Sequence, residues 1–146
     1  MDQFKAIAFT HANVGLDKVA QLYIPEEMYE ARLGGVKEAL HLDELMFVAT
    51  CNRVEFYFTS FEDINNQFLR SFFEALYPEF SNEQIHWVME STDVMDGLDA
   101  MRHMFYVASS LDSMVVGERE ILTQMRKSFN LSTDLGLTGD FMNIAL

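Results

Sequence analysis

Two strand-like runs, ELMFVATC at 44–51 and RVEFYFTS at 53–60, are separated by a single residue, Asn52. Both runs are rich in aromatic and β-branched side chains, which favour strands, and asparagine is a common turn residue. Two strands joined this tightly pair as an antiparallel hairpin, because a parallel pair needs a crossover of a dozen or more residues. The sequence therefore predicts a β-hairpin with Asn52 at its turn.

Four further segments surround this hairpin. FKAIAFT at 4–10 alternates as a strand does, and residues 24–42 and 63–77 carry apolar side chains at helical spacing. The run IHWVME at 85–90 is interpreted as a fourth strand. The resulting order of strand, helix, strand, strand, helix, strand is typical of ferredoxin-like folds. We therefore predict an α+β fold, with a four-stranded antiparallel sheet (βαββαβ) and its helices on one face.

The predicted helices differ in how clearly they begin and end. Pro25 suits the first turn of the helix at 24–42, whereas the pair Gly34-Gly35 weakens its middle. Two additional C-terminal helices are predicted at 92–111 and 118–135. A further helix begins near Asp140 without a stop signal, and we therefore expect the natural protein to continue past the last residue.

Composition limits the class of protein. The 146 residues fit one domain, and 49% hydrophobic residues suit a packed core. The net charge of −13 repels phosphate backbones and anionic membrane surfaces. The N-terminus has no signal-peptide pattern, and no apolar run is long enough to span a membrane. A lone cysteine excludes an internal disulfide and favours a cytoplasmic location.

The lone cysteine, Cys51, lies two residues before Arg53. Residues i and i+2 of a strand point to the same side, so the two side chains are predicted to share one pocket. A nearby guanidinium favours the reactive thiolate and can also hold a substrate carboxylate with two hydrogen bonds. The alternative is a structural Cys51 acting as a small hydrophobe, with Arg53 paired to Glu55 on the surface. Spacing alone leaves both interpretations open.

Other chemical motifs are scarce. His103 and Ser110 are seven residues apart on a predicted helix, share a face, and are candidates to face the cysteine. The four histidines have no metal-ligand spacing, and a single cysteine cannot build a thiolate zinc site. Neither a glycine-rich phosphate fingerprint nor a Gly-x-Ser-x-Gly elbow is present in the sequence. A nucleotide cofactor would therefore have to bind outside these 146 residues.

Three segments resemble glutamyl-tRNA reductases. ATCNRVEFY is similar to the cysteine motif of that family, and HMFYVASSLDSMVVGEREILTQMR is similar to its second signature. AFTHANVGLD resembles the opening strand of the family, and all three occur in the family's order and spacing. This sequence departs from the family motifs at Thr10, Ala49, Ser110, Arg119-Glu120 and Thr123. These departures are small, and none of them removes a candidate reactive group.

The resemblance implies a reaction and a role for each site residue. Glutamate carried on tRNA would be reduced with NADPH to glutamate-1-semialdehyde, the first step of tetrapyrrole (5-aminolevulinate) biosynthesis. Cys51 would attack the ester and form a thioester, and His103 would act as acid/base or polarise the carbonyl. Arg53 would grip a glutamate carboxylate, while Thr50 and Ser113 would bind the glutamyl group.

The resemblance also implies how the enzyme is organised. Residues 1–146 would form the catalytic domain, whereas an NADPH-binding domain and a dimerisation domain would lie outside this chain. The expected partners are glutamyl-tRNA, a second copy joined through the missing domain, and a glutamate-1-semialdehyde aminotransferase that receives the product. Two alternatives remain: a non-catalytic ferredoxin-like binding module with a structural cysteine, and a cysteine hydrolase unrelated to tRNA.

Overall fold

The computed structural model describes residues 3–49 and 52–109. The predicted site residues Thr50, Cys51, Ser110 and Ser113 lie outside these ranges, as do the helix predicted at 118–135 and the helix start near Asp140. The strands are β1 (Phe4–Thr10), β2 (Glu44–Ala49), β3 (Arg53–Thr59) and β4 (Asp93–Asp96). The helices are α1 (His11–Val14), α2 (Leu16–Gln21), α3 (Tyr29–Ala39), α4 (Asn66–Leu76), α5 (Asn82–Glu90) and α6 (Gly97–Ser109), with a 3₁₀ turn at Glu26–Met28.

The four strands form one antiparallel sheet in the order β2-β3-β1-β4. β2 and β3 form the predicted hairpin, whose last paired residues are Ala49 and Val54. β1 lies at the centre of the sheet and pairs Thr10 with Arg53. This is the strand order of a split βαβ unit, and it confirms the prediction of a ferredoxin-like α+β sheet.

Alternation along the central strands supplies apolar side chains to both faces of the sheet. Val54, Phe56 and Phe58 of β3 point to the face that α2, α3, α4 and α5 cover. Tyr57 points to the opposite face, where it packs with Ala100 and other apolar residues of α6. The predicted single layer of helices therefore holds for α2 to α5, and α6 adds a layer on the second face.

The prediction of a strand at 85–90 is wrong, because these residues lie within α5. The Ser81 hydroxyl accepts a hydrogen bond from the Gln84 amide at 3.1 Å, and the Gln84 side chain accepts one from the Ser81 amide at 2.9 Å. This reciprocal capping box satisfies two amides that a helix start leaves free. Ile85 and Val88, three residues apart, are the buried residues of the helix.

The fourth strand, β4, comes later than the sequence pattern indicated. It has only four residues, most of them exposed, and it pairs with β1. The sequence pattern predicted these residues as the start of a helix at 92–111. In the structure that helix is α6, and it begins only at Gly97. In contrast, α3 runs unbroken through Gly34-Gly35. No helix within 3–49 or 52–109 is long and apolar enough to cross a membrane.

Ser81→Ala tests the capping box at the start of α5. Loss of the hydroxyl leaves the Gln84 amide without its acceptor, and we expect the free energy of unfolding to fall by about 1 kcal/mol. Ser81→Asp keeps a capping oxygen and is expected to retain most of the stability. Urea unfolding measures both variants. Equal stability of the alanine and aspartate variants would contradict the role of the cap.

Candidate active site

β3 begins at the turn that follows Cys51 and carries polar groups on its α6 face. Arg53, Glu55 and Tyr57 occur at alternate positions, so their side chains share this face. Glu55 is completely buried, and its paired neighbours on β1 and β2 are Ala8 and Val48. Those neighbours carry no polar side chain, so the partners of the Glu55 carboxylate come from its own strand and from α6.

Both oxygens of the Glu55 carboxylate are hydrogen-bonded. His103 Nε2 lies against Oε1 and donates to it, and the Tyr57 hydroxyl donates to Oε2 at 3.0 Å. The rings of Tyr57 and His103 lie 6.5 Å apart, tilted by 30°. Hydrogen bonds to a charged group inside a protein are stronger than neutral ones, so this network fixes the imidazole against the sheet. The contact with Glu55 uses Nε2 of His103, and the other ring nitrogen, Nδ1, is not part of this network.

The hydroxyl of Tyr57 remains protonated in this network. Burial raises the pKa of Tyr57 well above its usual value, and the negative charge of Glu55 raises it further. The phenol therefore acts as a donor to Glu55 throughout the neutral pH range, rather than as an acid.

Arg53 is less fully engaged than His103. Its Nη1 lies 3.8 Å from Glu55 Oε1, which is an ion pair but too long for a hydrogen bond. Its Nε is buried and has no hydrogen-bond partner among residues 3–49 and 52–109. Pairing with Glu55 was part of the structural alternative, but the partner is buried between sheet and helix and does not lie on the surface. Arg53 thus has one buried donor, Nε, that no described acceptor uses.

The structure brings together two of the predicted site residues, Arg53 and His103, through the carboxylate of Glu55. Sequence reasoning missed Glu55 and Tyr57 as members of the site. The signal that points to them is the run of polar side chains at alternate positions 53, 55, 57 and 59, between the apolar residues of the strand. Within the described part of the chain, no group of three potential ligands could hold a metal ion.

Known proteins are similar to this chain in sequence and in fold. The family model described as Glutamyl-tRNAGlu reductase, N-terminal domain, matches residues 7–146. The glutamyl-tRNA reductase of Sulfurisphaera tokodaii is 32% identical over 142 residues, covering 96% of this chain and 31% of the relative. That of Desulfotalea psychrophila is 38% identical over 117 residues, covering 79% of this chain and 26% of the relative.

A solved structure gives the same result for the fold. Glutamyl-tRNA reductase from Methanopyrus kandleri superposes with a TM-score of 0.71 at 24% identity, over 99% of this chain and 32% of that chain. The chain thus spans about a third of the length of that protein and of the Sulfurisphaera relative. Because the family model matches nearly every residue, the chain belongs to the glutamyl-tRNA reductase N-terminal domain family.

Proposed function

We propose that this chain accepts the glutamyl group of glutamyl-tRNA on Cys51, as the catalytic domain of a glutamyl-tRNA reductase. The reductase would convert that group to glutamate-1-semialdehyde at the start of tetrapyrrole biosynthesis. The observation that carries the proposal is Arg53, whose buried Nε lacks a described partner two residues after the cysteine. A buried donor without a partner is costly, and a ligand that supplies an acceptor removes that cost.

Arg53 is suited to bind the side-chain carboxylate of the glutamyl group. The α-carboxyl of glutamate is esterified to the tRNA, so the side-chain carboxylate is the only free one. A guanidinium can hold a carboxylate through two parallel hydrogen bonds. The ion pair with Glu55 helps to hold the arginine in place, while its Nε has no acceptor among the described residues. Thr50 and Ser113, at matching family positions, are proposed to bind other atoms of the glutamyl group.

Cys51 is the proposed nucleophile. Its thiolate attacks the ester carbonyl, the bond to the ribose oxygen breaks, and that oxygen takes up a proton as the tRNA leaves. We assign the handling of this proton, or polarisation of the carbonyl, to His103. Its Nε2 is bound to Glu55, which orients the ring. We assign the exchange of the proton to the other ring nitrogen, Nδ1.

NADPH would supply the hydride that reduces the thioester. The 146 residues contain no glycine-rich phosphate fingerprint and do not fit this cofactor. We place its binding, dimerisation and the transfer of the aldehyde to an aminotransferase outside residues 1–146. The proposed location is the cytoplasm, where a lone cysteine stays reduced.

Incubation with tRNA charged with labelled glutamate, without NADPH, tests the proposal. We expect label on the protein at Cys51, released by hydroxylamine as a thioester would be, or slow release of free glutamate. The matched control is the same tRNA charged with glutamine, which lacks the carboxylate for Arg53 and should react far more slowly. The proposal would be overturned if the protein carried no label and the release of glutamate did not exceed that measured without protein.

A non-catalytic module remains the second candidate. The buried contact of Glu55 with His103 and Tyr57 also fastens α6 to the sheet, which a purely structural network would do equally well. The same incubation separates the two functions, because a binding module would retain the charged tRNA without breaking its ester.

A further inference from the structure

A groove opens on the face of the sheet opposite Glu55 and His103. It has a volume of about 700 Å³, within the range of roughly 300–1,000 Å³ typical of small-molecule sites. Its lining is mainly apolar and includes Leu16, Ala20, Tyr23, Ala49 and Val54, with Asp17 as its charged residue. Leu16 is 56% exposed and Tyr23 is 59% exposed, so the groove presents two large apolar side chains to solvent.

The groove adjoins the turn that holds the proposed nucleophile. Ala49 and Val54, which line it, are the last paired residues of the β2–β3 hairpin. Only two peptide units separate Ala49 from Cys51, which limits the distance between their Cα atoms to about 7 Å. The described end of the hairpin, at Ala49 and Val54, therefore lies between the groove on one face of the sheet and the Arg53–Glu55–His103 cluster on the other.

We propose that this groove binds the terminal nucleoside of the tRNA, an inference that rests on the proposed function. The ester attacked by Cys51 joins the glutamyl group to the terminal ribose, so the ribose and its base must lie directly beside the cysteine. With the glutamyl carboxylate at Arg53 on the α6 face, the nucleoside extends toward the opposite face. The groove is a concave surface on that face, and Ala49 and Val54 at the described end of the hairpin line it.

The chemistry of the groove suits a base better than a phosphate. Tyr23 offers an exposed ring for stacking, and every base has an aromatic face to stack on it. Asp17 can accept a hydrogen bond from an exocyclic amino group or a ribose hydroxyl. A chain with a net charge of −13 repels the phosphate backbone of the tRNA. Contacts with the uncharged base at the end of the tRNA are therefore more favourable than contacts with its phosphates.

Two small esters test the inference on the intact chain. We expect the 3′-glutamyl ester of adenosine to acylate Cys51 about tenfold faster or more than the 3′-glutamyl ester of 1-O-methylribose, which has the same leaving group but no base, because one base stacks in the groove. Tyr23→Ala should remove this advantage. Phe61→Ala is the matched control, because Phe61 is also an exposed aromatic residue (88%) but follows the other end of β3. Equal rates for the two esters, or an equal loss in both variants, would overturn the inference.

The experiments distinguish an error in the proposed function from an error in the inference about the groove. If neither ester acylates Cys51, the proposed function is wrong, and a direct binding experiment then tests whether the groove binds a nucleoside. Titration with adenosine monophosphate, followed by amide NMR, should shift the signals of Ala20, Ala49 and Val54, and these shifts should vanish in Tyr23→Ala. Absence of shifts at millimolar nucleotide would overturn the inference that the groove binds the nucleoside, even if acylation is observed.

Discussion

Cys51→Ser is expected to abolish transfer of glutamate from tRNA to the protein. Serine is nearly isosteric with cysteine, but at neutral pH its hydroxyl is a far weaker nucleophile than a thiolate. Loss of the proposed nucleophile should lower the rate of acylation by roughly three orders of magnitude or more. Labelled glutamyl-tRNA and mass spectrometry of the quenched protein measure the effect, which is the largest expected for any single substitution in the chain.

The control for Cys51→Ser is the stability of the variant. Its urea unfolding midpoint should stay close to that of the unchanged chain, because the substitution alters one atom. Cys51→Ala should be equally inactive, since neither variant provides a thiolate. Continued labelling of the serine variant at a comparable rate would show that another group is the nucleophile.

Much of the fold could be predicted because the hairpin and β1 carry strong local signals. β1 was predicted with its observed bounds at Phe4–Thr10, and the hairpin follows from two strand-like runs with almost nothing between them. The run at 85–90 misled because a short apolar segment suits a strand and a buried helix turn alike. The decisive signal was the capping pair at 81 and 84, three residues apart and outside the apolar run.

The site could be predicted only in part, for a reason that lies in the sheet itself. Both faces of β3 are buried, so alternation along the strand does not tell whether Glu55 faces solvent or a helix. Its partner His103 is 48 residues away. The contact forms only because α6 crosses the second face, and no local pattern in the sequence shows that packing. The family resemblance pointed to Arg53 and His103 as site residues. It did not point to the Glu55 carboxylate that contacts both of them.

Arg53→Lys is expected to lower the rate of acylation by at least about a hundredfold, close to the loss in Arg53→Ala. Lysine keeps the positive charge but lacks the planar fork that holds a carboxylate with two hydrogen bonds. Initial rates of label transfer from glutamyl-tRNA measure the effect. Arg32→Lys is a matched control, because Arg32 forms an ion pair with Glu79 at 2.9 Å on the other face of the sheet.

A second comparison distinguishes a grip on the carboxylate from a general effect of Arg53 on the site. If Arg53 holds the side-chain carboxylate, Arg53→Lys should slow reaction with the glutamyl ester much more than reaction with the glutaminyl ester, which has no such carboxylate. The preference of the chain for glutamate over glutamine should therefore shrink. If Arg53 instead serves only to balance the charge of Glu55, lysine should replace it and both esters should react nearly as fast as before. Near-full activity of Arg53→Lys, or an equal loss with both esters, would contradict the two-pronged contact, and substrate binding would then not explain why Nε lacks an acceptor among the described residues.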